Sequence, residues 1–182
     1  MKVAVVKEYF PGERRVALVP SAIAPLIKAG LEVVVEESAG LAAGFLDDDY
    51  RTAGARIGSR DEVFAADCLL TVRTAAAAGD AWPADRDRLR QGQVVIGICD
   101  PLGAPDACRE AAERGVTLFS LELVPRITRA QAMDVLSSQA NIAGYRAVLL
   151  AATALPRIFP MMTTAAGTVK PAKVLILGAG VA

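Results

Sequence analysis

Histidine is absent from all 182 residues. That removes the side chain most often used as a general acid or base near neutral pH, and the commonest metal ligand. Cysteine is scarce: Cys68, Cys99 and Cys108 are an odd set without C-x-x-C spacing, and two of them sit inside apolar runs. They read as reduced, packed thiols, and no metal site is expected. Excess charge of either sign is missing as well. Twenty Lys and Arg balance twenty Asp and Glu, and the basic residues are scattered, so no nucleic acid or anionic membrane surface is expected as a partner. Long hydrophobic runs are lacking too. The two longest, near Ala147 to Leu155 and Val174 to Ala182, reach about half of the roughly 20 residues that a membrane span needs. Lys2 and Lys7 flank only a short strand-like run, not a signal h-region, so a cytoplasmic chain is expected. What remains, 53% hydrophobic and 22% charged, describes a globular chain of one or two domains and excludes disorder.

From Met1 to about Ser120 one unit repeats: a short Val/Ile/Leu run, a turn, then a segment with helical signals closed by glycine. The strands predicted are Val3 to Val6, Leu31 to Val35, Cys68 to Val72, Val94 to Cys99 and Val116 to Ser120. A helix should follow Pro20 and Ser21 and stop at Gly30, with Pro25 imposing a kink or a late start. Asp47 to Ala53 reads as a short helix ending at Gly54, and Ser59-x-x-Glu62 as a capping box. Asp85 to Arg90 and Pro105 to Arg114 are helical, ended by Gly92 and Gly115. Alternation at this spacing implies βαβ units and a doubly wound parallel sheet with helices on both faces, an α/β fold of the Rossmann kind.

Near the C-terminus, Val174 to Leu177 is a continuous apolar run, the pattern of a strand buried on both faces. Gly178, Ala179 and Gly180 follow, supplying the first two glycines of a G-x-G-x-x-G turn. The sequence stops two residues later. The third glycine, the phosphate-binding helix and the acidic ribose contact roughly 20 residues on therefore lie outside it.

Between these regions, Leu121 to Arg146 breaks the pattern. Arg126, Arg129, Gln131 and Asp134 crowd into a short stretch after Pro125. On spacing alone they suit a solvated connection with an Arg–Asp pair, tacked down by Ile127, Met133, Val135 and Leu136. Ser137 or Ser138 can then cap a helix in which Ile142, Tyr145, Val148, Leu149, Ala152 and Leu155 recur at helical spacing, ending near Pro156. Two domains follow from this reading, 1–136 including the loop and 137–182 as the linking helix and first strand of a second, incomplete Rossmann subdomain.

PRITRAQAMDVLSSQANIAGYRAV and FPMMTTAAGTVKPAKVLILGAGVA closely resemble the alpha subunit of proton-translocating NAD(P) transhydrogenase. KEYFPGERRVALVP and GLEVVVEESAG fit the same family, and are shared with its alanine dehydrogenase relatives. The resemblance implies an NAD(H)-binding oxidoreductase domain that forms a homodimer and lies peripheral to the membrane. It also implies direct hydride transfer to NADP(H) bound on a partner domain, coupled to proton translocation through a membrane-spanning one. Position by position, it implies that Arg126, Gln131, Asp134 and Ser137 lie near the nicotinamide, Arg126 pairing with Asp134, Gln131 orienting the ring and Ser137 contacting the carboxamide. Gly178, Ala179, Gly180, Val181 and Ala182 match the pyrophosphate turn. Hydride transfer between two nicotinamides takes up no proton at the reacting atoms, so a site without histidine suits it.

Two other readings stand beside this one. An alanine-dehydrogenase-like enzyme would use Arg15 and Arg73 as cationic substrate contacts, but the histidine of those relatives would fall near Asp100. Structural pairing of both arginines at strand ends is the expectation. The other reading is a non-catalytic fragment, and the 182-residue chain alone is expected to be inactive and not to bind NADH in the micromolar range.

Overall fold

Strands β1 (Lys2–Val5), β2 (Glu32–Glu36), β3 (Arg56–Gly58), β4 (Cys68–Arg73), β5 (Val94–Ile98) and β6 (Thr117–Ser120) form one sheet. The order is β3-β2-β1-β4-β5-β6, and every pair is parallel. This is the doubly wound order, with its topological switch between β1 and β4. The computed structural model describes residues 1–182 as two compact units, Met1–Val124 and Pro125–Ala182.

Alternate residues of each strand face opposite sides, so the first unit has two cores. Ala4, Val34, Leu69 and Val95 pack on one face with Phe64, Trp82 and Ala111, brought by α3 (Arg60–Phe64), α4 (Trp82–Arg88) and α5 (Pro105–Glu113). Val5, Val33 and Val35 pack on the other with Ile23 and Tyr50, from α1 (Ile23–Lys28) and α2 (Asp47–Thr52). Burial on both faces is why the strands read as unbroken Val/Ile/Leu runs.

All five strands predicted between Met1 and Ser120 are present. β3 was not foreseen, because three residues with one apolar side chain give no periodicity. Pro25 acts as a late start: Pro20–Ala22 is a 3-10 turn, and α1 begins at Ile23. Both halves of the predicted capping box form, with Ser59 N–H donating to Glu62 at 2.8 Å and Glu62 N–H to the Ser59 hydroxyl at 3.4 Å.

The second unit holds α6 (Val135–Ala154) and a short antiparallel hairpin, β7 (Met162–Thr164) with β8 (Gly167–Val169), which the sequence pattern does not announce. The expected strand at Val174 to Leu177 is not part of any sheet here. Its side chains are exposed, Leu177 at 90%. A strand of a parallel sheet takes its hydrogen bonds from neighbouring strands, and residues 125–182 provide none beside it. No helix of the structure is long and apolar enough to cross a membrane.

Candidate functional site

In doubly wound sheets ligands bind at the carboxyl ends of the strands, at the switch point. Here that edge carries charge. Just past β1, the Glu13 carboxylate takes hydrogen bonds from Arg15 (Nη2 to Oε2, 2.6 Å) and from Arg73 at the end of β4 (Nε to Oε2, 2.9 Å). The Arg15 bonds foremost hold Glu13 down at about 2, far below its ordinary 4.5. Arg73 also lies 4.2 Å over the Phe10 ring. Both arginines are therefore paired, Arg73 at a strand end as expected and Arg15 instead in the loop after β1; their common partner, Glu13, was not identified from sequence. Glu8, also missed, is half-buried beside them, and the partial loss of water around its carboxyl pushes it up to about 7.

Backbone strain collects at the same edge. Ser38, Ala75 and Asp100, which follow β2, β4 and β5, are the non-glycine residues with positive φ, at 60°, 48° and 54°. Such conformations cost on the order of 1–3 kcal/mol each and persist where the surroundings hold them. Asp100, where the relatives' histidine would fall, donates its N–H to Glu122, and its carboxylate accepts the Gly103 N–H at 3.3 Å. It closes a tight turn.

The second unit contains the loop. Pro125 to Ile127 leads into a 3-10 turn, Thr128–Met133, of which Ala130 is buried. Arg126, Arg129 and Gln131 are exposed. Asp134 caps α6: Oδ1 accepts the Ser137 N–H at 2.9 Å and Oδ2 the Ser137 hydroxyl at 2.6 Å. The helix cap is thus Asp134, one turn earlier than the Ser137 or Ser138 expected, because a carboxylate can accept both donors that Ser137 offers. The Ser137 hydroxyl foremost lowers the Asp134 carboxyl, and the charge of Arg126 adds to this from beyond ion-pair contact. The structure therefore brings Asp134 and Ser137 together, with Arg126 and Gln131 close in sequence and facing solvent.

Gly178, Ala179, Gly180, Val181 and Ala182 are exposed and irregular. Gly178 has φ 102°, which side-chain-bearing residues rarely adopt, and a Cβ added at Gly178 or Gly180 would meet no atom within 4 Å. The Ala182 carbonyl lies against Gly144 of α6, where any side chain would overlap it.

Sequence relationships agree with this geometry. Residues 4–143 match the family model for the alanine dehydrogenase/PNT N-terminal domain, and residues 147–182 the model for its C-terminal domain. The chain belongs to the alanine dehydrogenase/transhydrogenase family. Over its whole length it is 42% identical to an NAD(P) transhydrogenase subunit alpha chain of Rickettsia prowazekii, covering 48% of that protein. It is 44% identical to NAD(P) transhydrogenase subunit alpha of Cereibacter sphaeroides, covering 34% of it. Among solved structures, a transhydrogenase from Sinorhizobium meliloti superposes on the entire chain with a TM-score of 0.93 at 46% identity, with 53% of that chain covered. An L-alanine dehydrogenase superposes at 0.84 with 28% identity, with 49% of that chain covered. The chain spans about half the length, or less, of these relatives.

Proposed function

We propose that this chain is the N-terminal part of the NAD(H)-binding domain of an NAD(P) transhydrogenase. Residues 1–136 would carry the loop, and 137–182 would open the nucleotide-binding subdomain. The observation that carries the reading is identity of 42–46% to transhydrogenase chains over the whole of this chain, against 28% to the alanine dehydrogenase. Engagement of Arg15 and Arg73 by Glu13 supports the same choice, since both cations already have an anionic partner.

The residues fit the cofactor. Open backbone at Gly178 and Gly180 permits close approach by a pyrophosphate, and Gln131 exposes an amide that can both donate to and accept from a carboxamide. When bound, NADH supplies a hydride that reduces NADP+ to NADPH on a partner domain. Gln131 orients the nicotinamide and its ribose, and Ser137, fixed by Asp134, presents the carboxamide contact. Arg126 holds the loop's charge balance beside Asp134. Such residues act by position, and placing two reactants in contact is worth on the order of 7–11 kcal/mol. A homodimer, an NADP-binding domain and a proton-translocating membrane domain are the partners proposed.

The test uses a chain carrying the complete nucleotide-binding subdomain, reconstituted with its NADP-binding partner. Gln131→Asn keeps the amide but withdraws it by one methylene. Single-turnover hydride transfer should fall about tenfold or more, equivalent to about 1.4 kcal/mol, with NADH affinity nearly unchanged. Transfer at the parent rate would refute the positioning role.

A further inference from the structure

Strand β5 ends in a turn whose peptide groups face an anion. Successive N–H groups of a regular strand point to opposite edges. Asp100, with φ 54°, breaks that alternation, and the N–H groups of Cys99 and Asp100 converge on one point. Two successive N–H groups so arranged form a concavity suited to an anion. The half-buried Glu122 carboxylate fills it: Oε1 accepts the Cys99 N–H at 2.8 Å and the Asp100 N–H at 2.5 Å. Oε2 is shielded from water without a hydrogen-bond partner. Loss of water around one oxygen is tolerated where bonds to the other outweigh it, so the two peptide donors hold Glu122 in place.

Glu122 sits in the 3-10 turn Leu121–Leu123 that follows β6, three residues before Pro125. Between that tie and Asp134 the chain has little freedom to swivel. The Val124 N–H closes the turn on the Leu121 carbonyl at 3.3 Å, and Val124 itself is extended, with φ −58° and ψ 125°, as a residue before proline is driven to be. Pro125 fixes its own φ. The Ile127 N–H then returns to the Pro125 carbonyl at 2.9 Å, the Ala130 N–H to the Ile127 carbonyl at 2.9 Å and the Asp134 N–H to the Gln131 carbonyl at 3.2 Å. Arg126 and Gln131 are carried on this run of linked turns, whose far end is the capped start of α6. Its near end is Glu122.

We infer that Glu122 is a positioning residue for hydride transfer: by tying the root of the loop to the end of β5, it fixes the place from which Arg126 and Gln131 are presented to the nicotinamide. The inference rests on the transhydrogenase reading above. Its effect is geometric and passes through the backbone of the loop. A misplacement of about 1 Å in a group that orients a reactant can cost up to about a hundredfold in rate. The turn at Gly178 and Gly180 would hold the pyrophosphate independently, so transfer depends on the tie far more than binding does.

The experiment uses a chain carrying the complete nucleotide-binding subdomain, reconstituted with its NADP-binding partner, with folding of the first unit confirmed by the fluorescence of the buried Trp82. Single-turnover hydride transfer at saturating NADH is set against equilibrium NADH binding. Glu122→Ala removes both acceptor bonds; transfer should fall about tenfold or more, while the NADH dissociation constant moves by less than about threefold. Glu122→Gln keeps a carbonyl oxygen where Oε1 stands and should restore transfer to within about threefold of the parent. Transfer by Glu122→Ala at the parent rate, a loss of NADH affinity as large as the loss of rate, or a Glu122→Gln as slow as Glu122→Ala overturns the inference. If Glu122→Ala does not fold, Glu122→Asp replaces it: the carboxylate stays but is withdrawn by one methylene, transfer should still fall about threefold or more, and an unchanged rate overturns the inference. A parent complex that transfers no hydride overturns the transhydrogenase reading itself, and the role of Glu122 in transfer falls with it.

Discussion

Arg60 offers the sharpest test of how the switch-point edge is held. From α3 its guanidinium reaches Glu36 at the end of β2 (Nη1 to Oε2, 2.9 Å), Asp85 on α4, and the Lys7 carbonyl. It also lies 4.6 Å over Tyr9 and 5.0 Å over Phe64. Glu36 is only 4% exposed, so Arg60→Met keeps the packing stem but leaves a buried carboxylate short of its cation. Breaking a buried pair from one side costs about 3–5 kcal/mol. Glu36 retains the Lys7 N–H at 2.8 Å, which places the expected loss lower, at about 2–4 kcal/mol. The buried Trp82 is the only tryptophan and reports on the first unit alone. In urea, with a slope of about 1–3 kcal/mol/M, its fluorescence midpoint should drop by roughly 1–2 M. Glu36→Gln closes a double-mutant cycle. The double variant should lose less than the sum of the singles by about 1–3 kcal/mol. A loss under about 0.5 kcal/mol for Arg60→Met, or strict additivity in the cycle, would refute the argument that a desolvated charge pair secures this edge.

Tyr50 is fully buried and its hydroxyl donates to the Leu18 carbonyl at 3.0 Å, so Tyr50→Phe should cost about 1 kcal/mol in urea unfolding; an unchanged midpoint would mean the hydroxyl is already exchanged with water. Gly40→Ala would set a Cβ 2.6 Å from the Tyr50 ring, and overpacking of this kind should lower stability by about 1–3 kcal/mol, read as a falling thermal midpoint. Glu13 is depressed to about 2 in the fold, foremost by its bonds from Arg15. Its stabilisation is therefore complete above the ordinary value near 4.5 and is lost as pH falls through 2, so Glu13→Gln should flatten that part of the acid-unfolding curve; superimposable acid limbs would argue against it.

Much of the first unit can be read from sequence because its signals are local or strongly repeated. A strand buried on both faces needs a run such as Val33 to Val35, and Ser59 and Glu62 each carry half of a reciprocal cap. Glu8 could not be read this way. In sequence it is a charge beside a strand end, which usually means a solvated position. It is half-buried instead, and its donors, the Val72 and Arg73 N–H groups, lie more than 60 residues away. The loop after Pro125 was readable as a cluster of polar groups, yet not the choice of cap. Asp134 and Ser137 can each cap a helix, and only the geometry shows the serine donating and the aspartate accepting.

The second unit separates two kinds of sequence signal. Ile142, Tyr145, Val148 and Leu149 recur at helical spacing and α6 forms there, although all four are exposed, Tyr145 at 70%. A helix closes its own i to i−4 hydrogen bonds, so it can form wherever propensity suffices. The hairpin of Met162–Thr164 with Gly167–Val169 also forms, because its two strands are separated by only two residues and pair with each other. Val174 to Leu177 carries as strong an apolar signal as β2 but has no strand beside it, and it takes no regular structure. Apolar patterning therefore records which surfaces a segment is built to bury, whereas a parallel strand appears only where a second strand is present to satisfy its backbone.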